Sequence, residues 1–254
     1  CSQYSYHNMT KEFDNSCAYG PHVAEGINAE AWNELYCLSG KDPNGYNLFK
    51  SKAAFIHGIA ATPLMIAEMA AARTKLVWSP RTNVALYGDT ANVTVYDRLG
   101  VTIGLGTDWV YSGSANMLRE LQCVDYLNQH HYNKHFSDYQ IWRMATYNSA
   151  VALDLDSAIG NLKAGLLADI AIFAETDTRK SYRAIIDAGA QDVIMVMING
   201  KVMYGDANVV SATNCDAVNV CGVAKKVCTD DSKKSYSAID SKDMPSLNQS
   251  HCTI

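Results

Sequence analysis

The stretch at residues 21–26 combines an imidazole, His22, with a carboxylate, Glu25, three residues further on. It ends a short apolar run, and Gly26 then leads into a helical pattern that extends to Leu38. Imidazole and carboxylate groups bind metal ions and carry protons, and barrel enzymes present them where a strand runs into a helix. Because a histidine near a glutamate is often only a hydrogen-bonded pair, the prediction of an active site requires partners elsewhere in the chain.

Polar residues recur at the ends of three further short apolar runs. The four runs predicted as strands are residues 21–24, 53–57, 75–78 and 101–105. At or directly after their ends stand His22, His57, Ser79 and Asp108. The carboxyl ends of parallel strands share one edge, and polar residues that recur there fit an active-site rim better than they fit packing.

A helical pattern follows these strands. One helix is predicted to open at Thr62 as N-cap with Pro63 in its first turn, where proline has no N–H to leave unpaired. We assign residues 79–88 to a loop, and helices to residues 92–99 and 115–128. Strand followed by helix, four times over, predicts parallel pairing. Four such units form half of an eight-stranded (β/α) barrel or, as the alternative, an open four-stranded α/β sheet.

The pattern changes after residue 138. Helices are predicted at residues 139–146 and 149–153, and strands at 168–174, 192–199 and 201–204. Asn199 and Gly200 between two apolar runs predict a hairpin with a type I′ turn, because both residues tolerate a positive φ. We therefore predict three parts. They are a barrel-like unit at 1–155, a β-rich unit at 156–212, and a cysteine-containing tail at 213–254 that is mobile from residue 230 onward.

The composition is that of a soluble globular protein. Of 254 residues, 48% are hydrophobic and 19% are charged, with a net charge of −5. That charge and the lack of a Lys/Arg-rich stripe argue against a nucleic-acid partner. The sequence has no run of eighteen apolar residues that could span a membrane, and no nucleotide-binding fingerprint. We expect a small-molecule substrate, and the sequence leaves open whether the protein forms a homo-oligomer.

Eight cysteines bear on the compartment. Four of them lie in the last forty residues, where the sequence is otherwise polar and poor in core-forming side chains. Disulfides are useful in such a segment, so an exported or periplasmic protein is favoured over a reduced cytoplasmic one with scattered thiols. A zinc site in the tail is disfavoured because no CxxC pair occurs there.

Six short segments occur in an order that carries a family resemblance. They are His22-Val-Ala-Glu25-Gly26, Phe55-Ile-His57-Gly58, Ser79-Pro80-Arg81-Thr82-Asn83, Gly106-Thr107-Asp108, residues 145–170, and Asn199-Gly200-Lys201-Val202. Together they resemble the metal-dependent amidohydrolases of the cytosine/adenosine-deaminase-like branch. The resemblance covers residues 21–206 and is most specific at residues 148–170.

The resemblance implies a TIM-like barrel of which strands five to eight are present, followed by part of a small β-sandwich. In that family the first barrel strand carries a His-x-His pair, and this sequence contains none. We therefore expect the chain to be the carboxyl-terminal half of a longer enzyme, with Cys1 as a broken start. Half a barrel would leave two open sheet edges.

The resemblance also assigns catalytic roles. His22 and Asp108 are expected to bind one metal ion per site, Zn²⁺ or another divalent metal such as Fe²⁺, which lowers the pKa of bound water. Glu25 is expected to shuttle a proton as general acid and base; the alternative is a first-turn acid of the next helix. His57 is expected to polarise the water or the substrate oxygen, although the equivalent histidine of two-metal relatives is itself a ligand.

Substrate contacts are expected from the segments after the third and fourth strands. Ser79 and Asn83 lie in the predicted loop and are expected to touch substrate, whereas Arg81 is interpreted as a solvent-facing arginine. Trp109 either stacks on a planar ring or packs the top of the barrel.

A rival metal site involves His131 and His135, which are four residues apart. No glutamate follows His131 in the metalloprotease pattern, so we interpret the pair as a solvated helix end.

The predicted activity is hydrolysis of C–N bonds other than peptide bonds, favouring hydrolytic deamination of a heterocyclic ring. A cyclic-amide, imidazolone or dipeptide-type amidohydrolase is the alternative reaction. An alternative of another class is a catalytically silent fragment or binding module without the His-x-His ligands.

Overall fold

In the computed structural model, the described residues are 1, 13 and 15–228. They form two compact units, the first ending at Gly160 and the second beginning at Asn161. The three parts at 1–155, 156–212 and 213–254 stay predictions. The segment predicted to be mobile, 230–254, lies outside the described residues.

The first unit alternates strands and helices. Its strands are β1 (His22–Val23), β2 (Ala54–His57), β3 (Lys75–Trp78) and β4 (Ile103–Leu105). Its helices are α1 (Ala29–Cys37), α2 (Pro63–Ala72), α3 (Pro80–Tyr87), α4 (Val93–Arg98), α5 (Met117–His130), α6 (Asp138–Ala145) and α7 (Tyr147–Ala152). Among the described residues, no helix is both long and apolar enough to cross a membrane.

The four strands form one sheet in the order β1-β2-β3-β4, and each neighbouring pair is parallel. This confirms the predicted parallel pairing. Phe55, Leu76 and Trp78 are fully buried, as expected for short strands that are covered on both faces. Parallel pairing brings the carboxyl ends of all four strands to one edge.

Local sequence explains where two helices begin. Thr62 caps α2 by accepting a hydrogen bond from the Met65 N–H at 3.4 Å, and Pro63 occupies the first turn, as predicted. The loop predicted at residues 79–88 is wrong, because α3 begins at Pro80. The fixed φ of proline suits a first helical turn. The sequence shows little helical periodicity of apolar residues here, because the buried first turn of α3 contains polar side chains.

The outer edge of β4 is covered by side chains of α7. Asn148 donates from Nδ2 to the Ile103 carbonyl at 2.9 Å, and the Leu105 N–H donates to the Ser149 hydroxyl at 3.2 Å. Gly104 allows this approach, since a Cβ there would lie 3.1 Å from the Ser149 Cα. The prediction of an open edge is therefore wrong at β4, where helix side chains use the backbone groups of the strand.

The second unit is an antiparallel sheet. Its elements are β5 (Ile170–Phe173), α8 (Tyr182–Ile186), a 3₁₀ turn (Ala190–Asp192), β6 (Val193–Ile198), β7 (Lys201–Asp206), β8 (Cys215–Val220) and β9 (Val223–Cys228). The strand order is β5-β6-β7-β9-β8. Asn199 and Gly200 have φ of 47° and 79°, which confirms the predicted hairpin turn between β6 and β7.

The hairpin β8–β9 falls in the segment predicted as the tail, residues 213–254. Its turn places Cys221 and Gly222 at positive φ, 51° and 86°. A disulfide joins Cys215 to Cys228 across the pair, and another joins Cys1 to Cys37. Export stays a prediction.

Lys225 shows why the sequence pattern does not predict this hairpin. Its side chain is fully buried, and its ammonium group donates to the carbonyls of Gln191 and Val193 and to the Asp206 carboxylate. A lysine in a polar segment predicts a solvated residue, whereas here three acceptors within the same unit satisfy its three N–H groups.

We expect Lys225→Met to destabilise the second unit by about 3–5 kcal/mol, because it leaves the Asp206 carboxylate and two carbonyls without their donor. Lys226→Met is the matched control, since the Lys226 ammonium contacts one carbonyl, that of Val210. Its expected cost is about 0.5–1.5 kcal/mol. Urea denaturation of the three proteins measures the difference, and equal midpoints for the two variants would contradict the structural role of Lys225.

Candidate metal centre and proton-transfer site

The carboxyl edge of the parallel sheet brings together three of the predicted site residues. His22 lies in β1, His57 ends β2, and Asp108 follows β4. One potential ligand atom from each lies within 4.8 Å of the others. The His22 Nδ1 and His57 Nε2 atoms are 3.0 Å apart.

The backbone is left-handed at three positions of this edge. Ala24, His57 and Asp108 have φ of 54°, 76° and 53°, a conformation that costs non-glycine residues of order 1–3 kcal/mol. Surrounding contacts hold it: the Ala24 N–H donates to the carboxylate of Glu34 in α1 at 2.8 Å. Burial raises the pKa of Glu34, although this hydrogen bond opposes the rise. Such turns aim the strand-end side chains into one cluster.

Glu25 lies against both imidazoles. Its Oε2 atom is 3.5 Å from His22 Nδ1 and 3.4 Å from His57 Nε2. Its Oε1 atom accepts a hydrogen bond from the Tyr87 hydroxyl in α3 at 3.0 Å. Burial, and then the neighbouring Glu25 carboxylate, raise the pKa of Tyr87, so this phenol stays a donor. One carboxylate oxygen is thus held in place while the other faces the cluster.

His57 and Asn83 are both fully buried. The His57 Nδ1 atom is 2.9 Å from the Asn83 Oδ1 atom. The Asn83 Nδ2 group donates to the Thr90 hydroxyl at 3.1 Å. Asn83, expected from the sequence to contact substrate, therefore has its amide engaged on both sides by protein groups.

Ser79 lies at the end of β3 and precedes α3. Its hydroxyl is buried and has no hydrogen-bond partner among the described residues. The Ser79 side chain makes no N-cap hydrogen bond to α3. The Arg81 N–H in the first turn of α3 donates instead to the carboxylate of Glu120 in α5 at 3.2 Å. The Ser79 hydroxyl lies beside Gly106, where an added Cβ would approach it to 3.0 Å.

The interpretation of Arg81 as a solvent-facing arginine is wrong. Its side chain is buried, and Nε donates to the Ser114 hydroxyl at 2.8 Å while Nη2 donates to the Arg119 carbonyl at 3.3 Å. The Ser114 N–H in turn donates to the Thr107 carbonyl at 3.0 Å. Arg81 thus fixes the loop that carries Asp108, a long-range contact that the local sequence does not indicate.

Glu120 is a buried carboxylate with a perturbed pKa. Burial raises the pKa to about 7 from 4.5, while hydrogen bonds and the Arg81 charge oppose the rise. Because the folded protein holds this proton more tightly than the unfolded chain does, the stability from this group is greatest below pH 4.5. It is lost as the pH rises to about 7.

We expect Glu120→Gln to remove this pH dependence, because glutamine keeps an acceptor for the Arg81 N–H without a proton to lose. Between pH 5 and 7, the free energy of unfolding of the parent protein should fall relative to that of the variant. The slope is at most about 1.4 kcal/mol per pH unit. Urea titrations at several pH values measure the difference, and parallel curves for the two proteins would contradict a raised pKa.

Trp109 follows Asp108 and is 60% exposed in this chain, and both alternatives for it stay predictions. Its ring contacts Tyr111, with centroids 4.9 Å apart, and Tyr111 is also exposed. The base of the loop is held where the hydroxyls of Thr82 and Ser112 lie 2.7 Å apart. The loop therefore presents aromatic surface next to the cluster from a fixed base.

The rival histidines, His131 and His135, lie in different surroundings. His131 lies at the carboxyl end of α5 with non-helical backbone, while His135 bonds through Nε2 to the Asp97 carboxylate at 2.8 Å. The two are not on one helix, which agrees with the interpretation of a solvated helix end.

A cavity of about 460 Å³ lies at the amino-terminal ends of the strands, at the opposite end of the sheet from the cluster. Lys52 and Lys75 line it, but their ammonium groups donate to the carbonyls of Ser16 and Ser51. These bonds give the two cations a role in holding loops, as expected for the stability face of a barrel.

Sequence reasoning did not identify Tyr87, Glu34, Thr90 and Glu120 as parts of this site. Tyr87 is 62 residues from Glu25 in the sequence, and the two meet only in the folded chain. The contact between Glu120 and the Arg81 N–H likewise joins residues that are 39 positions apart in the sequence. A helical pattern gives no information about such partners.

The donor set fits a divalent transition metal. Two imidazoles and one carboxylate are typical ligands of catalytic zinc, which commonly has three protein ligands. Bonds of about 2.0–2.2 Å in a tetrahedral site separate ligand atoms by about 3.3–3.6 Å. The cluster, with nitrogens 3.0 Å apart and all three atoms within 4.8 Å, is close to that spacing. The structure thus adds His57 as a third ligand candidate to His22 and Asp108.

Solved structures share this fold. A zinc-bound adenosine deaminase from Xanthomonas campestris matches with a TM-score of 0.64 and 20% identity, over 76% of this chain and 46% of that chain. The guanine deaminase of E. coli matches with a TM-score of 0.62 and 19% identity, over 78% and 50%. A zinc-bound atrazine chlorohydrolase from Arthrobacter aurescens gives 0.61 and 23%, over 77% and 45%.

Curated relatives are similar in sequence. A 5-methylthioadenosine/S-adenosylhomocysteine deaminase of Clostridium tetani is 26% identical over 168 residues, 61% of this chain and 38% of the relative. An enzyme of the same name from Thermoanaerobacter pseudethanolicus is 31% identical over 137 residues, 50% of this chain and 32% of the relative. The chain thus matches less than two fifths of the length of these relatives.

The amidohydrolase family matches residues 7–203, most of the chain and nearly all of both sheets before β8. With the structural neighbours, this match implies a TIM-barrel-type α/β fold. The chain belongs to the amidohydrolase family.

Proposed function

We propose that the chain contributes the carboxyl-edge site of a metal-dependent hydrolase that deaminates a heterocyclic ring. The observation that carries the proposal is the convergence of His22, His57 and Asp108, with Glu25 against both imidazoles. The curated relatives are named as deaminases, and two of the structural neighbours are deaminases of purine compounds, which supports the same reaction class.

We propose that β1 to β4 correspond to strands five to eight of the barrel, and that β5 to β9 belong to a small β-sandwich. The chain covers about half of each structural neighbour, and its four strands are half of eight, which supports this assignment. Further metal ligands would then come from strands outside these four.

We propose Zn²⁺ as the metal, with Fe²⁺ as the alternative, held by His22, His57 and Asp108. When bound, such an ion lowers the pKa of a coordinated water towards neutrality and so supplies a nucleophile at pH 7. The zinc in two structural neighbours and the nitrogen-rich donor set both favour zinc.

Glu25 is proposed as the proton carrier. Its Oε2 atom faces the cluster, where it takes the proton that the attacking water gives up. It delivers that proton to the ring nitrogen, then takes the second proton from the hydroxyl now bonded to the ring carbon and passes it to the departing amine, so that water and an amino-heterocycle give a carbonyl and ammonia. The hydrogen bond from Tyr87 to Oε1 holds the carboxylate and leaves Oε2 as the reacting oxygen.

Ser79 and Trp109 are proposed to bind the substrate. A buried hydroxyl without a partner costs free energy, so the Ser79 hydroxyl is well suited to a hydrogen bond with a ring substituent. Trp109, exposed beside Asp108, offers a flat apolar face to a planar ring.

The test uses the zinc-loaded enzyme in which this chain is joined to the strands that supply the further metal ligands. It is offered amino-purines, amino-pyrimidines and amino-triazines as one set of substrates and cyclic amides as the other. We expect ammonia release from the first set. New carboxylate from the second set, without ammonia, would support the cyclic-amide alternative. Bound zinc with no turnover of either set would contradict the proposed reaction and favour a silent binding module.

A further inference from the structure

The two ring nitrogens of His57 lie in different surroundings. Nε2 faces the cluster, 3.0 Å from His22 Nδ1 and 3.4 Å from Glu25 Oε2. Nδ1 faces the protein interior, 2.9 Å from Asn83 Oδ1. Because the ring is fully buried, the protein and not bulk water decides which nitrogen carries the proton of the neutral imidazole.

The orientation of the Asn83 amide determines that choice. Its Nδ2 group donates to the Thr90 hydroxyl oxygen at 3.1 Å, so Oδ1 points at His57. The same Thr90 oxygen accepts the indole N–H of Trp78 at 2.7 Å. An indole can only donate, and a hydroxyl oxygen has two lone pairs, so Thr90 can accept from Trp78 and from Asn83 together.

We propose that Asn83 is a positioning residue, held by Thr90 and Trp78, that keeps the proton of His57 on Nδ1. A carbonyl oxygen at Nδ1 requires an N–H there, and Nε2 then presents an unprotonated lone pair to the cluster. The inference rests on the proposed metal site and names the part of the chain that prepares one of its ligands.

The arrangement lowers the cost of metal binding. A metal ligand must offer a lone pair, and a histidine that is already in the required tautomer does not have to move a proton when the metal arrives. Outer-shell partners of this kind typically contribute about 10–100-fold to metal affinity. It also explains why a buried asparagine occupies the first turn of α3, where its amide reaches the end of β2.

The direct test is nitrogen NMR of the metal-free chain labelled at histidine. Long-range correlations between ring protons and nitrogens distinguish the two tautomers. We expect the pattern of a protonated Nδ1 for His57. The pattern of a protonated Nε2 would overturn the proposal, and this result does not depend on any catalytic activity.

Two variants at half-buried Thr90 test the origin of the preference. Thr90→Val keeps the shape but removes the acceptor for Asn83, whereas Thr90→Ser keeps the hydroxyl and is the matched control. We expect Thr90→Val to weaken zinc binding on the order of 10-fold and to mix the two tautomers, with Thr90→Ser close to the parent. Parent-like tautomer and zinc affinity in Thr90→Val would overturn the role of Thr90. If the proposed deamination is not observed but Thr90→Val changes the tautomer and the zinc affinity as expected, the positioning role of Asn83 and Thr90 is still supported.

Discussion

Glu25→Gln is expected to lower turnover by about 10²–10⁴-fold while leaving zinc bound, because it removes a proton carrier but none of the three proposed ligands. The carboxylate lies 3.4–3.5 Å from both imidazoles, and its other oxygen is held by Tyr87. Glutamine keeps the shape and the acceptor for the Tyr87 hydroxyl, so the loss should appear in kcat and not in folding.

The measurement is ammonia release by the parent and the variant, with the metal content of each preparation. Glu30→Gln is the matched control, since Glu30 is an exposed acid in the first turn of α1. Full activity in Glu25→Gln would contradict the proton-carrier role. Loss of zinc together with activity would instead indicate that Glu25 is a ligand.

Asp108→Asn is expected to lower zinc affinity by at least about 100-fold, more than an outer-shell substitution typically does. Asparagine tolerates left-handed backbone as aspartate does, so φ of 53° at this position should persist. The variant therefore removes the carboxylate charge without adding backbone strain, and a change in affinity reports on the ligand itself.

Competition titration with a zinc chelator measures this affinity. Asp154→Asn is the matched control, because Asp154 also has a left-handed φ, 59°, but is exposed near the other end of the sheet. Equal zinc affinity in the parent and Asp108→Asn would exclude Asp108 as a ligand. If, without zinc, Asp108→Asn unfolds at a lower temperature than both the parent and Asp154→Asn, Asp108 would have a structural role.

Local sequence was sufficient for those parts of the fold that depend on neighbouring residues. Thr62 and Pro63 predicted the start of α2, and Asn199-Gly200 predicted a type I′ hairpin, because each requires a particular backbone conformation or capping group. The apolar runs predicted four parallel strands, since burial on both faces leaves a pattern in the sequence itself.

Contacts that depend on the folded chain were not accessible in this way. Arg81 resembles a surface residue until α5 covers it and Ser114 accepts its Nε–H. Lys225 resembles a surface residue until three acceptors surround its ammonium group. Asn83 is predicted to contact substrate, which stays a prediction, and the sequence gives no sign that its amide lies between His57 and Thr90. In each case a polar side chain can be buried because residues distant in the sequence form its hydrogen bonds.

The most direct test of the central claim is anomalous diffraction at the zinc absorption edge from crystals of the zinc-loaded chain. We expect an anomalous peak at the carboxyl edge of the parallel sheet, among His22, His57 and Asp108, each of which offers a ligand atom within 4.8 Å of those of the other two. A strongest peak elsewhere in the chain, or no peak at this edge when zinc is bound, would contradict it.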